Sequence, residues 1–199
     1  GGGLAMFLSE QFHTDLTVVE LDPVVERLAK DHFGFCESAG LTSIVGDGIA
    51  FVKQRAAEVA RGGERKGEAT AFDAVIVDAS GSASESISCP PKAFLEAGFL
   101  RDLSECLAPR GLMAVNVVSR SQQAFEQAAE AFKQHFGKLF CIRAEDDINK
   151  VVLAFKGAKE EGPALGQLKK EGAAHLKKAQ RSQAHQKDFL ASIDSLVEL

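Results

Sequence analysis

Apolar positions along this chain switch between a helical repeat and short extended runs, and the switching divides it into elements. Leu4, Phe7, Leu8 and Phe12 recur at helical spacing and predict a first helix that opens on Gly1-Gly2-Gly3. Thr17, Val18 and Val19 are β-branched and favour an extended chain, which ends at Glu20 and Asp22. Pro23 suits the first position of a helix whose apolar face is Val24, Val25, Leu28, Ala29 and Phe33, with Gly34 closing it. Leu41 to Val45 reads as a strand running into Gly46-Asp47-Gly48, and Phe51, Val52 and Val59 carry a helix from Ile49 to Ala60. After a polar, glycine-rich loop from Arg61 to Thr70, Phe72 to Asp78 is the strongest strand signal, of the kind buried on both faces of a parallel sheet.

Ala79 to Ser88 is a Gly/Ser-rich loop with Glu85 its only charge, closed by Cys89-Pro90-Pro91. A helix is predicted over Phe94 to Leu107, a turn at Pro109 and Gly111, a strand over Leu112 to Val118 and an amphipathic helix over Ser121 to Phe136. Lys138 to Arg143 and Val151 to Phe155 read as two strands joined by the polar turn Ala144 to Lys150. Strand and helix alternating in this way predict an α/β fold, a doubly wound parallel sheet with its last pair antiparallel at the edge. Residues 1–157 form that domain; residues 158–199 are expected to be a helical extension, with Phe189, Leu190, Ile193, Leu196 and Val197 as its packing face. A glycine-rich nucleotide turn is held by the strand before it, and this sequence begins at the glycines, so the first strand of the sheet is expected to be missing from the chain.

Composition narrows the function. A chain of 199 residues, 45% hydrophobic and 26% charged, suits a soluble globular protein, and neither a membrane span nor a signal peptide is legible. A cytoplasmic protein is the expectation. Cys36, Cys89, Cys106 and Cys141 are scattered without a CxxC pair, and the five histidines share no metal or triad spacing, so no metal site is expected. The net charge of −5 argues against nucleic acid as a partner and leaves room for a basic protein. With no tyrosine in the chain, no phenol serves as acid or base.

Three acids end three successive predicted strands: Glu20, Asp47 and Asp78. In one parallel sheet those ends share the edge where ligands bind. Glu20 stands 17 to 19 residues beyond Gly1-Gly2-Gly3, close to the separation of about 20 at which an acid accepts from both ribose hydroxyls. Leu21 and Asp22 flank it. Asp47 could accept from an adenine amine, with Gly48 leaving space beside it, or could simply cap the following helix. Asp78 and Ala79 fall in the middle of the row, next to whatever lies beyond the ribose. The set favours an adenosine ligand; the glycines lack the GxGxxG spacing of a dinucleotide site.

Gly1-Gly2-Gly3, Val19-Glu20-Leu21-Asp22, Gly46-Asp47-Gly48 and Asp73 to Asp78 resemble the spermidine synthase-like branch of the class I S-adenosylmethionine-dependent methyltransferases, over about residues 1–156. The resemblance implies S-adenosylmethionine as cofactor, S-adenosylhomocysteine as product, and cofactor contacts at Gly1, Gly2, Gly3, Glu20, Asp47 and Gly48. Aminopropyltransferases of that branch continue the central strand with Asp-Ser-Ser-Asp-Pro. Here the stretch is Asp78-Ala79-Ser80-Gly81-Ser82, so the first Asp, which helps deprotonate the amine, remains and the second is lost. Phe33-Gly34-Phe35, Ser88-Cys89-Pro90-Pro91, Ala93-Phe94 and Asn149 are similar to the C-terminal domain of the eukaryotic elongation factor lysine and N-terminal methyltransferases, of the methyltransferase-like family.

That resemblance implies a protein substrate, a translation elongation factor methylated on its N-terminal α-amine or a lysine. Asp78 would be the catalytic carboxylate, orienting the ammonium and passing its proton to water, with Ser80 and Asn149 holding the peptide. An aminopropyltransferase and an inactive scaffold of the same fold are the rival readings, and a homodimer stays open.

Overall fold

The computed structural model describes residues 2–12, 14–62, 71–143, 148–158, 162–178 and 195–199. The chain divides into two compact units, Gly1–Gln54 and Arg55–Leu199.

The first unit begins with helix α1 (Gly3–Phe12), strand β1 (Leu16–Glu20), helix α2 (Pro23–His32) and strand β2 (Leu41–Val45), and the helix α3 (Gly48–Ala60) continues into the second unit. β1 and β2 pair in parallel, Leu16 opposite Leu41 and Glu20 opposite Val45. Asp22 caps α2, its Oδ1 accepting from the Val24 N–H at 2.7 Å, and Pro23 fills the first helical position, where no N–H is needed. Ala29, Phe35 and Leu41 form the buried core, with Ala5, Met6, Leu16 and Val18 packed against it.

The second unit contains β3 (Phe72–Val77), β4 (Ile87–Cys89), a 3-10 turn (Lys92–Leu95), α4 (Ala97–Cys106), β5 (Leu107–Ser119), α5 (Gln122–Lys133), β6 (Lys138–Arg143), β7 (Asn149–Phe155), α6 (Leu165–Lys178) and β8 (Val197–Glu198). Its sheet runs in the order β3-β5-β7-β6-β8, with β4 also bonded to β5. β3 and β5 are parallel, while β7 is antiparallel to both β5 and β6, which makes it the reversed member of the long strands. Met113, Val115 and Val117 of β5, Val152 and Ala154 of β7, and Leu139 and Cys141 of β6 are buried on one face. Buried Phe99, Leu100 and Leu103 of α4 and Phe125, Ala128, Ala129 and Phe132 of α5 supply the helical part of the core.

Four expectations need correction. Phe72 to Val77 has Val77 buried and Ile76 exposed, rather than being buried on both faces. On α2 only Ala29 is buried, and Val24, Val25 and Leu28, with Phe33 just beyond its end, stay exposed. At the C-terminus, Val197 and Glu198 pair with β6 as a strand, with Leu196 buried beside them; Phe189, Leu190 and Ile193 lie outside the described residues. The turn foreseen at Pro109 and Gly111 is a bulge inside β5: Phe72 faces Leu107, Ala74 faces Leu112, and Arg110 takes a left-handed φ of 64°.

Candidate functional site

In the first unit the glycine turn is fixed by packing. Gly2 has φ 74°, its carbonyl accepts from the Met6 N–H to start α1, and a Cβ there would collide with the Phe35 ring. Phe35 is itself set by the end of α2, where Gly34 turns left-handed at φ 74° and the Phe35 N–H reaches the Ala29 carbonyl at 3.0 Å. Gly34 and Phe35 thus set the ring that stands against the glycine turn. Beside Gly3 the position a Cβ would take is open. Gly1 lies outside the described residues.

Glu20 and Asp47 are brought to one edge of β1-β2. Glu20 faces Val45 across the parallel pair, and the Gly46 N–H donates to the Glu20 carbonyl at 2.9 Å. The Glu20 side chain accepts from the Asp22 N–H through Oε1 at 3.0 Å, which holds the carboxylate at the strand end. Asp47 accepts from the Ile49 N–H through Oδ1 at 2.9 Å, so it does cap α3, and its exposure leaves the carboxylate open to solvent as well. Leu21 is exposed, and Asp22 is engaged as the cap of α2.

In the second unit Asp78 leaves β3 at an exposed position and accepts a hydrogen bond from Asn116 Nδ2 at 3.3 Å. Asn116 is the one polar residue in the apolar run Leu112–Val118, a signal that the strand pattern absorbed and the sequence reading passed over. Its Oδ1 is buried without a hydrogen-bond partner among the described residues. Val118 pairs with Asn149 and Asn116 with Val151, so Asn116 and Asn149 share one face of the β5-β7 pair.

The loop after Asp78 is tied down. The Gly81 N–H donates to the Ser88 carbonyl at 2.7 Å, Arg120 Nη1 donates to the Ala83 carbonyl at 2.9 Å, and Ser119 Oγ donates to the Ser86 carbonyl at 3.2 Å. Ser80 accepts from the Cys89 thiol at 3.6 Å, which links the loop to the Ser-Cys-Pro-Pro stretch. A Cβ at Gly81 would lie 3.2 Å from Pro91 Cα and 3.3 Å from the Ser88 carbonyl oxygen, so the loop leaves little room for a side chain there. Glu85 and Ser86 line a groove of about 450 Å³ with Leu95, Glu96 and residues of α5.

In the first unit, two acceptors at one sheet edge and a side-chain-free turn opening a ten-residue helix make a donor and acceptor set for a polar nucleoside; in the second unit, the carboxylate at the end of β3 is an acceptor for an amine. Among the described residues there is no cluster of His, Cys, Asp or Glu able to hold a metal ion, and no helix is long and apolar enough to cross a membrane.

No protein-family model matches the chain. It is 32% identical over 202 residues to the eEF1A lysine and N-terminal methyltransferase of Danio rerio, an alignment covering 98% of the chain and 28% of that protein. The human protein of that name is 29% identical over 154 residues, 76% of the chain and 21% of that protein. The chain thus spans less than a third of the length of these relatives. Among solved structures it superposes on human methyltransferase-like protein 13 in complex with SAH with a TM-score of 0.78 and 25% identity, covering 92% of the chain and 79% of that one. A probable spermidine synthase from Corynebacterium glutamicum shares the fold, at a TM-score of 0.65 and 17% identity, with 92% and 60% covered.

Proposed function

We propose that this chain, a homologue of the eEF1A lysine and N-terminal methyltransferases with the class I S-adenosylmethionine-dependent methyltransferase fold, methylates a protein amine, the N-terminal α-amine or a lysine of a translation elongation factor. The observation that carries this reading is the placement of Glu20 and Asp47 at the ends of the paired strands β1 and β2, in the unit that also holds the glycine turn.

The residues present fit the cofactor. Glu20, fixed through one oxygen, retains lone pairs for ribose hydroxyls, and the exposed Asp47 carboxylate offers an acceptor to an adenine amine with Gly48 beside it. The first N–H groups of α1 have no acceptor within the helix and favour a carboxylate such as the cofactor's own. S-adenosylmethionine supplies, when bound, an electrophilic methyl group. The protein's work is alignment, desolvation and removal of one proton from the amine. An α-amine, with an ordinary pKa of about 7.7 to 8.0, is partly neutral at cell pH, whereas a lysine near 10.4 requires more assistance. Asp78 takes the ammonium N–H, orients the nitrogen and passes the proton to water; Ser80 and Asn149 hold the peptide.

Polyamine synthesis fits less well. The second carboxylate that would hold a diamine's distant ammonium is replaced by Gly81, and the packing of Pro91 and Ser88 around that position disfavours restoring it. Calorimetric titration with S-adenosylmethionine and with its decarboxylated form tests the choice. The carboxylated form should bind at least about twofold more tightly, since an exposed helix N-terminus contributes about 0.3–1 kcal/mol to an anion. Preference for the decarboxylated form would return the aminopropyltransferase reading.

A further inference from the structure

Asn116 stands on the half-buried face of β5 between Ala114 and Val118, the buried Val115 and Val117 facing the other way. Of its two amide atoms one donates to Asp78 while the other is buried and unpartnered among the described residues. The orientation of the amide is dictated by its partner: a carboxylate only accepts, so nitrogen must face Asp78 and the oxygen is the atom left over. An unsatisfied buried acceptor costs about 1–3 kcal/mol, more than a typical hydrogen bond to an exposed group returns. On stability alone a valine, matched to the strand, would serve better at this place. We infer that Asn116 is a positioning residue for Asp78, kept for the orientation it gives the carboxylate at the expense of the fold.

The inference rests on the proposed role of Asp78 and adds a residue that acts through it. Asn116 lies on the strand next to the one Asp78 leaves, Val77 being opposite Val115, so it fixes the carboxylate from the rigid centre of the sheet while the loop beyond Asp78 is held separately by Ser119 and Arg120. Fixing the acceptor from a strand rather than a loop is what a short proton transfer requires.

The test is a double-mutant cycle on methyl transfer to a peptide copying the elongation factor's N-terminus. Asn116→Val should lower kcat at least tenfold, leave the Kd for S-adenosylhomocysteine within about twofold, and leave Tm unchanged or raised. Asn116→Asp, the same size without the donor, should lose kcat likewise. Added to Asp78→Ala, Asn116→Val should cost nothing further in residual turnover. A merely structural asparagine would instead lower Tm and subtract equally in both backgrounds. Wild-type kcat in Asn116→Val beside an impaired Asp78→Ala would overturn this inference alone. Wild-type kcat in Asp78→Ala would remove the reading of Asp78, and the inference with it.

Discussion

At the scale of single residues, the chain uses backbone geometry and burial more than charge. Gly2 combines a left-handed φ with the Phe35 ring where a Cβ would go, so Gly2→Ala should cost about 1–3 kcal/mol in backbone strain, seen as a lower Tm. Asp47 has two separable roles. Asp47→Ala removes the α3 cap and should cost about 1 kcal/mol, whereas Asp47→Asn restores the cap; if Asp47 also accepts from the cofactor, calorimetry on Asp47→Asn will show weaker binding at an unchanged Tm. Burial pushes the Cys106 thiol up from its ordinary 9.0 to about 11, against a smaller opposing pull from Lys156. The raised value means the folded state holds its proton longer than the unfolded one. Its stabilising contribution is therefore full below about pH 9 and is lost as pH rises toward 11, and thermal melts across that window should fall more in the wild type than in Cys106→Ala. Exposed Cys36 should react with a thiol reagent at neutral pH, Cys106 only on unfolding.

At the scale of elements, the loop from Ala79 to Ser88 reads as surface chain in sequence and is held like part of the sheet in the structure. Arg120 is its outermost tie, so Arg120→Ala should speed proteolysis within residues 82–86 several-fold while Tm changes by no more than a degree or two. Strand and helix identities were legible because periodicity reports local burial, and Glu20 and Asp47 were legible because adjacent parallel strands end together. What failed were the faces. The apolar line Val24, Val25 and Leu28 was correctly helical, with Phe33 just past the helix end, yet how much of such a line is buried is a tertiary fact that its repeat does not carry. Val197 could not be assigned to a strand because its two-residue pairing with β6 is set by the partner rather than by its own pattern. Asn116 was hidden for the opposite reason: an apolar run conceals its one polar member unless every exception is asked for a cause.

At the scale of the whole molecule, the described residues form two units, each with its own core: Gly2, Gly3, Glu20 and Asp47 lie in one, Asp78, Asn116 and Asn149 in the other. The fold carries the likeness to human methyltransferase-like protein 13. The measurement that tests this account most directly is transfer of labelled methyl from S-adenosylmethionine, by wild type and by Asp78→Ala, to a peptide with a free elongation-factor N-terminus and to the same peptide with its N-terminus acetylated. Label in the free peptide, far less in the acetylated one when the acceptor is the α-amine, and a large loss of turnover in Asp78→Ala with cofactor binding intact are the predicted results. No labelling of either peptide despite bound cofactor would contradict the assignment of amine methylation to this chain, and equal labelling by wild type and Asp78→Ala would contradict the role given to Asp78.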